Sequence, residues 1–506
     1  MSGPVDASGL PSQLGAFDLL MHRGEASPRT RSGIMALEVL DATPDWERFR
    51  TLFENASRKV LRLRQKVVMP MLPTAPARWV VDPDFNLDFH VRRVRVPQPG
   101  TLRDVLDLAE VMLQSPLDIS RPLWTATLVE GLEGGRAATL LHLSHAVTDG
   151  VGATAMFAEI YDLERDARPR PTPPLPVPED ITGTDLMREG LTHLPAAIVD
   201  GVVGALAGGL GMVGKAVSNP ASALFGTIEY ARSGRRMVRR AADPSPLLRR
   251  RSLSTRTEAI EMKLGDLHRA AHAAGGSIND AYLAGLCGAL RVYHETLGVP
   301  VNTLPMAVPV NLRAEADPAG GNRFAGVNLG APVGAADPVV RIKKIRKQMI
   351  SRREEAAIDL IGAVAPVLTL LPDAALEAMS GSVIASDVQA SNVPIYPGDT
   401  FIAGAKVLRQ FGVGPLPGVA MMVVLISRGG YATVTTRYDR AAIADPDLWA
   451  RCLRQGFDEV LALAGDPHPH VVPASFPDQV DQTAASASTA PPMPPGASTK
   501  RSVAYS

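Results

Sequence analysis

LLHLSHAVTDGVG, residues 140–152, is an apolar run broken by two of the chain's ten histidines and closed by an aspartate and glycines. Period-two patterning makes its first half a buried strand in which His142 and Ser144 share a face with Leu140. Gly150 and Gly152 mark a turn directly afterwards. His145 therefore falls near a strand end, where a rigid sheet presents reactive side chains, and an imidazole there can act as a general base near neutral pH. Asp149, four residues on, has two possible jobs. It can orient His145 by a hydrogen bond, or pair with an arginine and lock the loop in which His145 sits; spacing does not choose between them.

Outward from this stretch the chain reads as mixed α/β. Residues from Phe17 to about Asp162 alternate between helical patterns such as WERFRTLFENASRKVLRLRQ (46–65) and the period-two HVRRVRVP (90–97). The proline-rich RDARPRPTPPLPVPED (165–180) excludes helix and central strand and reads as an extended linker. A second α/β unit begins near Ser254, with strand-like PMAVPVNL (305–312), VAMMVVLIS (419–427) and YATVTTRYD (431–439). The expected division is residues 1–164 as a first unit, 165–253 as linker, Gly/Ala-rich helix and basic crossover, 254–475 as a second unit, and 476–506 as a disordered tail poor in core-forming residues. A chain of 506 residues exceeds what one core usually supports, which agrees with two units.

Composition narrows the function classes. Lysine plus arginine and aspartate plus glutamate both total 52, so no global field favours nucleic acid. Only Cys287 and Cys452 are present, which argues against a disulfide scaffold and against a zinc cluster, and no metal or resident cofactor is expected. The N-terminus lacks the basic and apolar regions of a secretory signal, and a cytoplasmic protein is expected. The apolar stretch at 195–214 is interrupted by Asp200 and built from Gly and Ala, so a buried or interfacial helix is preferred to a membrane span. Arg232, Arg235, Arg236, Arg239, Arg240, Arg249, Arg250 and Arg251 then crowd together. This patch is either a site for anionic phospholipid or cofactor phosphates, or a solvated helix face.

The stretch PLDISRPLWTATLVEGLEGGRAATLLHLSHAVTDG (116–150), with Pro122-Leu123-Trp124, a Gly-Gly-Arg turn and the histidine motif in order, resembles the bacterial wax ester synthase/acyl-CoA:diacylglycerol acyltransferase family. Further matches follow the same order: LRQK (63–66), WVVDPDFNLDFHVRRVRVPQPG (79–100), SINDAYLAGLCGALR (277–291), VPVNLR (308–313), GNRFAGVNLG (321–330) and SNVP (391–394). The likeness covers roughly residues 15–465. Two departures stand out. Ser144 occupies the place of the family's usual first histidine, and Ile395-Tyr396 stand where SNVP usually continues Gly-Pro.

The resemblance implies two similar mixed-sheet units of the chloramphenicol acetyltransferase-like, coenzyme-A-dependent type, with an active-site tunnel at their junction. It implies an O-acyltransferase that esterifies diacylglycerol or a long-chain alcohol with acyl-CoA as co-substrate, giving triacylglycerol or wax ester. His145 is then the base, and Asp149 is paired with Arg313 at the end of VPVNLR. Ser144 and Gly150 beside the base, and Ser391 and Asn392 from the second unit, are candidate substrate-binding or oxyanion residues. Trp124, Asn279 and Asp280 are structural support. Peripheral contact with the inner membrane face or lipid inclusions is expected from residues 195–214 and the arginines after them. Two alternatives remain: a condensation-type acyltransferase fed by a carrier protein, and a catalytically silent lipid-binding or lipid-droplet protein.

Smaller motifs have local explanations. Ser277 is a plausible N-cap with Asp280 at the third helical position. GLGMVG (209–214) matches a dinucleotide fingerprint by letter, but no strand precedes it. Cys287 lacks a basic neighbour and reads as core. No Gly-x-Ser-x-Gly elbow exists, which argues against a serine hydrolase.

Overall fold

Two mixed β-sheets organise the protein in a computed structural model that describes residues 11–72, 74–147, 156–193, 241–311, 324–355, 369, 371–377, 386–393, 395–396, 398–465 and 471–476. In chain order the strands are β1 (Gly33–Leu40), β2 (Gln65–Val68), β3 (Arg78–Val81), β4 (Val91–Arg95), β5 (Trp124–Glu130), β6 (Ala137–Ser144), β7 (Thr255–Lys263), β8 (Leu304–Asn311), β9 (Phe324–Ala331), β10 (Val388–Val393), β11 (Phe401–Ile402), β12 (Ala405–Val413), β13 (Met421–Arg428), β14 (Tyr431–Asp439) and β15 (Val472–Pro473).

The first sheet has the order β11-β12-β1-β6-β5-β4, and the second β15-β7-β14-β13-β10-β8-β9. Strand β6 is interior and buried along its whole length, antiparallel to β1 on one side and β5 on the other. An all-buried strand explains why its sequence, AATLLHLS, is mostly apolar and carries no carboxylate, lysine or arginine. Strand β4, by contrast, is an edge strand whose Arg92, Arg93 and Arg95 are exposed, and such charges block further pairing.

The sheets do not follow the division read along the chain. Strand β12 pairs with β1 from Met35↔Val413 to Leu40↔Val407, so residues 405–413 complete the first sheet although they lie between strands of the second. Residues Asp162 and Phe401 exchange backbone hydrogen bonds of 2.9 and 2.8 Å at the point where this excursion begins. The proline-rich segment 165–180 contains no helix or strand and is fastened to the first sheet's side of the molecule: Glu179 N donates to Val81 O at 3.0 Å, and Arg58 donates to Pro173 O.

Each face of the first sheet is covered by a helix. Trp46–Lys59 buries Phe49 and Phe53 against Trp124, Ala126 and Leu141, while Leu102–Gln114 buries Val105, Leu106 and Ala109 against Met35, Leu37 and Leu140. The sequence pattern extends the first of these helices through residue 65, but the helix stops at Lys59. Val60 leaves the helical region, and a 3-10 turn sends Leu61 and Leu63 into the core ahead of β2. The second sheet packs on Ile278–Thr296 and Pro446–Leu461. Gly456 permits their close approach, since a Cβ there would lie 2.1 Å from the Ala289 backbone nitrogen. Ser277 and Asp280 form a reciprocal capping box at the start of the first of these two helices.

Helix Leu102–Gln114 lies where the two sheets meet, with Ala259 of β7 in the same apolar cluster. Its buried Glu110 accepts Thr257 Oγ1 at 2.6 Å, the Thr255 hydroxyl, and Arg437 Nε of β14 at 3.0 Å. Arg409 of β12 and Glu261 of β7 form a second buried pair across the junction at 2.9 Å. Charges withdrawn from water in this way are tolerable because each is met by an opposite charge and further donors.

Candidate active site

The end of β6 converts a regular strand into a tightly held turn. Ser144 is opposite Gly33 of β1, and its N–H donates to Leu123 O at 3.0 Å. His145 comes next, and its backbone N–H donates to Ser32 O at 3.2 Å. Val147 N then donates back to Ser144 O at 3.0 Å, closing the turn. Gly33 is the residue that fits here, because a Cβ at that position would meet His142 Nε2 at 2.8 Å.

His145 itself is half-buried, yet its Nδ1 is shut off from solvent, so whatever solvent reaches of the residue lies elsewhere on it. Burial pushes its imidazole below the ordinary 6.5, opposed by a hydrogen bond with its own backbone. The neutral ring is therefore favoured at neutral pH. His142, two residues earlier on the strand, is buried and pushed down to about 4, first by burial and then by the nearby Arg437, Arg31 and Arg92. It packs on the face covered by helix Leu102–Gln114, and so is a core histidine beside the turn.

Ser144, expected to bind substrate or the oxyanion, is instead fully buried, and its hydroxyl is engaged in a polar node that no local sequence pattern marks. Glu25 Oε1, just beyond helix Ala16–Gly24, accepts Ser144 Oγ at 2.7 Å, Ser32 Oγ at 2.7 Å and Ser32 N at 3.2 Å. Ser144 Oγ in turn accepts Ala146 N at 3.3 Å. Residues on both sides of His145, and the carbonyl that holds its N–H, are thus tied to one buried carboxylate. Glu25 lies 119 residues before Ser144, and no local pattern marks it.

The remaining expected site residues fall into three groups. Asp149, Gly150 and Arg313 lie outside the described residues, as do 194–240 with the apolar stretch and the first five arginines of the basic patch. Ser391 is half-buried and Asn392 exposed at the end of β10, beside Val424 and Leu425 of β13. Strands β8 and β10 are parallel neighbours, so Asn311 and Val393 end at the same edge of the second sheet. Trp124, Asn279 and Asp280 are in the framework. The Trp124 indole donates to Leu63 O at 2.8 Å and stacks on His90 at 4.7 Å. Asp280 closes its capping box and meets Arg346 at 3.3 Å, while Asn279 is half-buried in the first turn of the same helix.

A cleft of about 1390 Å³ opens between the two halves, walled by residues 28–33, 113–114 and 243–255, by the start of β8, and by the turns before β10 and β13. Its lining includes the buried Gly33, which follows the Ser32 carbonyl that holds His145. Cys287 and Cys452 are buried away from it, with thiols pushed up to about 12 and about 11 by burial, and neither is a nucleophile at neutral pH. Among the described residues, no group of three His, Cys, Asp or Glu side chains is arranged to hold a metal ion, and no helix is long and apolar enough to cross a membrane.

The arrangement has counterparts in known proteins. Residues 3–282 match the wax ester synthase/diacylglycerol acyltransferase catalytic domain, and residues 320–460 the C-terminal domain of the same family. A Mycobacterium tuberculosis protein provisionally named a diacylglycerol O-acyltransferase is 72% identical over 470 residues, covering 93% of this chain and 96% of that one. A second protein of that organism, with the same provisional name, is 28% identical over 454 residues, covering 85% and 93%.

Among solved structures, the wax ester synthase/diacylglycerol acyltransferase from Marinobacter aquaeolei VT8 superposes with a TM-score of 0.62 at 20% identity, over 90% of this chain and 100% of that one. The first condensation domain of the calcium-dependent antibiotic synthetase gives 0.56 at 14% identity, over 90% and 97%. These two are likenesses of fold, that of two-domain coenzyme-A-dependent acyltransferases. Family models cover most of the chain, and a near-full-length relative shares almost three quarters of its residues; the chain belongs to the wax ester synthase/diacylglycerol acyltransferase family and is an O-acyltransferase.

Proposed function

We propose that the protein transfers a fatty acyl group from acyl-CoA to the free hydroxyl of diacylglycerol, and to long-chain alcohols, with His145 as general base. The observation that carries this reading is the placement of His145. It follows the buried strand β6, its N–H is held by Ser32 O, its ring is kept neutral by burial, and a cleft between the halves reaches the neighbouring Gly33. A neutral imidazole with an immobilised backbone is what proton abstraction from a hydroxyl requires.

In this reading the unprotonated ring nitrogen takes the alcohol proton while the alcohol oxygen attacks the thioester carbonyl. The tetrahedral intermediate collapses by breaking the carbon–sulfur bond, and the same proton passes to the departing thiolate. That thiolate is a good leaving group, with a pKa of about 8.5, so no covalent enzyme intermediate and no resident cofactor are needed. Ser391 and Asn392 are the proposed donors to the substrate or oxyanion, and Asp149 pairs with Arg313 to set the loop after His145, with Gly150 at its turn. Residues 195–214 and the arginines after them are proposed to hold the protein against the inner membrane face or a lipid inclusion, where both acceptors reside.

The test is a purified-protein assay with radiolabelled palmitoyl-CoA and either dioleoylglycerol or hexadecanol, comparing wild type with His145→Ala. Ester formation lost in the variant supports the proposal. Equal rates overturn His145 as base, and product only from a palmitoylated carrier protein overturns acyl-CoA as donor.

A further inference from the structure

We infer that the mouth of the cleft between the halves is an anion site, at which Arg29, Arg31 and Arg249 receive the phosphates of the acyl donor. The inference rests on the acyl-CoA reading above and adds to it where the donor's charged end sits. All three arginines line the same cleft as the buried Gly33. Arg31 donates to two backbone carbonyls, Glu25 O at 3.2 Å and Gln114 O at 2.8 Å, which fix its guanidinium without cancelling its charge. Arg249 is exposed, and among the described residues no carboxylate lies within 4 Å of it. Arg29 faces Glu377 at 3.7 Å, a loose pair in which both side chains are exposed.

The cleft also contains carboxylates, and their state matters. Asp387 accepts Ser245 N at 2.6 Å, while Asp439 accepts Ser252 N at 2.6 Å and Ser252 Oγ at 2.8 Å. These two are engaged by donors of the protein itself. Exposed Asp243 and loosely paired Glu377 remain to oppose the three arginines at the mouth. Guanidinium groups match phosphate oxygens with paired N–H donors, and their charge persists at every accessible pH. Of the substrates, diacylglycerol and fatty alcohol are uncharged and gain nothing from such a rim. The donor is the one substrate that carries phosphates, and the cleft lined by these arginines is also lined by Gly33, next to the Ser32 carbonyl that holds His145.

The experiment compares palmitoyl-CoA with palmitoyl-pantetheine, which keeps the thioester and lacks the phosphates, using dioleoylglycerol in neutral phosphatidylcholine vesicles. The variant is Arg29→Glu with Arg249→Glu, both on exposed side chains, and Arg95→Glu on the outer strand β4 is the control. The expected result is a KM for palmitoyl-CoA raised about 10-fold in the double variant, with kcat and the KM for palmitoyl-pantetheine unchanged. Unchanged KM for palmitoyl-CoA, or an equal rise for both donors, overturns the inference. Loss of binding to phosphatidylglycerol vesicles with KM intact also overturns it, in favour of an anionic lipid headgroup. If wild type turns over neither donor, the failure belongs to the acyl-CoA reading. Calorimetric titration with free coenzyme A then decides the site: binding weakened in the double variant supports it, and no binding to wild type sinks it.

Discussion

Replacing Glu25 tests whether the strand-end histidine is held from the N-terminal segment. Glu25, Ser32 and Ser144 are 2%, 6% and 0% exposed, so Glu25→Ala leaves three donors without their acceptor in a region water barely reaches. The two hydroxyls are 3.5 Å apart and can turn towards each other, which rescues one of them. At roughly 1–3 kcal/mol for each buried group left unsatisfied, the expected cost is about 3–4 kcal/mol, read as a lower urea midpoint. Glu25→Gln keeps an acceptor and removes its charge. Charge-assisted bonds exceed neutral ones by about 1 kcal/mol, so it loses about 2 kcal/mol over the two short hydroxyl contacts.

The catalytic readout follows from the same contacts. The node holds Ser144, Ala146 and Ser32, and each 1.4 kcal/mol lost from positioning His145 slows turnover by about tenfold. A drop in kcat with KM little changed is expected in Glu25→Gln, and a double-mutant cycle with Ser144→Ala should show coupling of about 1–2 kcal/mol between the two positions. Additive effects in that cycle, or a Glu25→Ala protein with wild-type midpoint and wild-type kcat, refute the reasoning.

Three further outcomes are expected. Because burial depresses the His145 pKa, the acidic limb of kcat/KM should have its midpoint below 6.5; a midpoint above 6.5 contradicts the burial described for the ring. His22, His90 and His142 are each lowered to about 4 by burial, so between about pH 4 and 6.5 the unfolded chain binds more protons than the folded one. Stability is therefore full above 6.5 and falls as pH drops through that window, by up to about 3 kcal/mol for each histidine, and replacing His142 with Gln should flatten the dependence in urea titrations at several pH values. Glu110→Ala strands Arg437 at the junction of the halves and should cost about 3–5 kcal/mol, whereas Glu110→Leu with Arg437→Met should recover much of that; equal losses in single and double variants rule out a desolvated pair.

What the sequence determined by itself is local. Period-two patterning marked β6 and a strand end near His145, the spacing of Ser277 and Asp280 marked a helix start, and the prolines at 165–180 marked a segment without helix or strand, because each is governed by interactions within a few residues. Likeness of ordered motifs carried the family and the two-unit fold. Tertiary structure decided the rest. The return of residues 405–413 to pair with β1, the Glu110–Arg437 bridge across 327 residues, and the capture of Ser144 by Glu25 join segments whose own patterns carry no trace of the partner. Nor could spacing say that His142 is core while His145, three residues on, is half-buried at a turn. Burial is set by whatever packs from elsewhere in the chain, and a buried carboxylate announces its partners only once the fold has excluded the water that would otherwise solvate it.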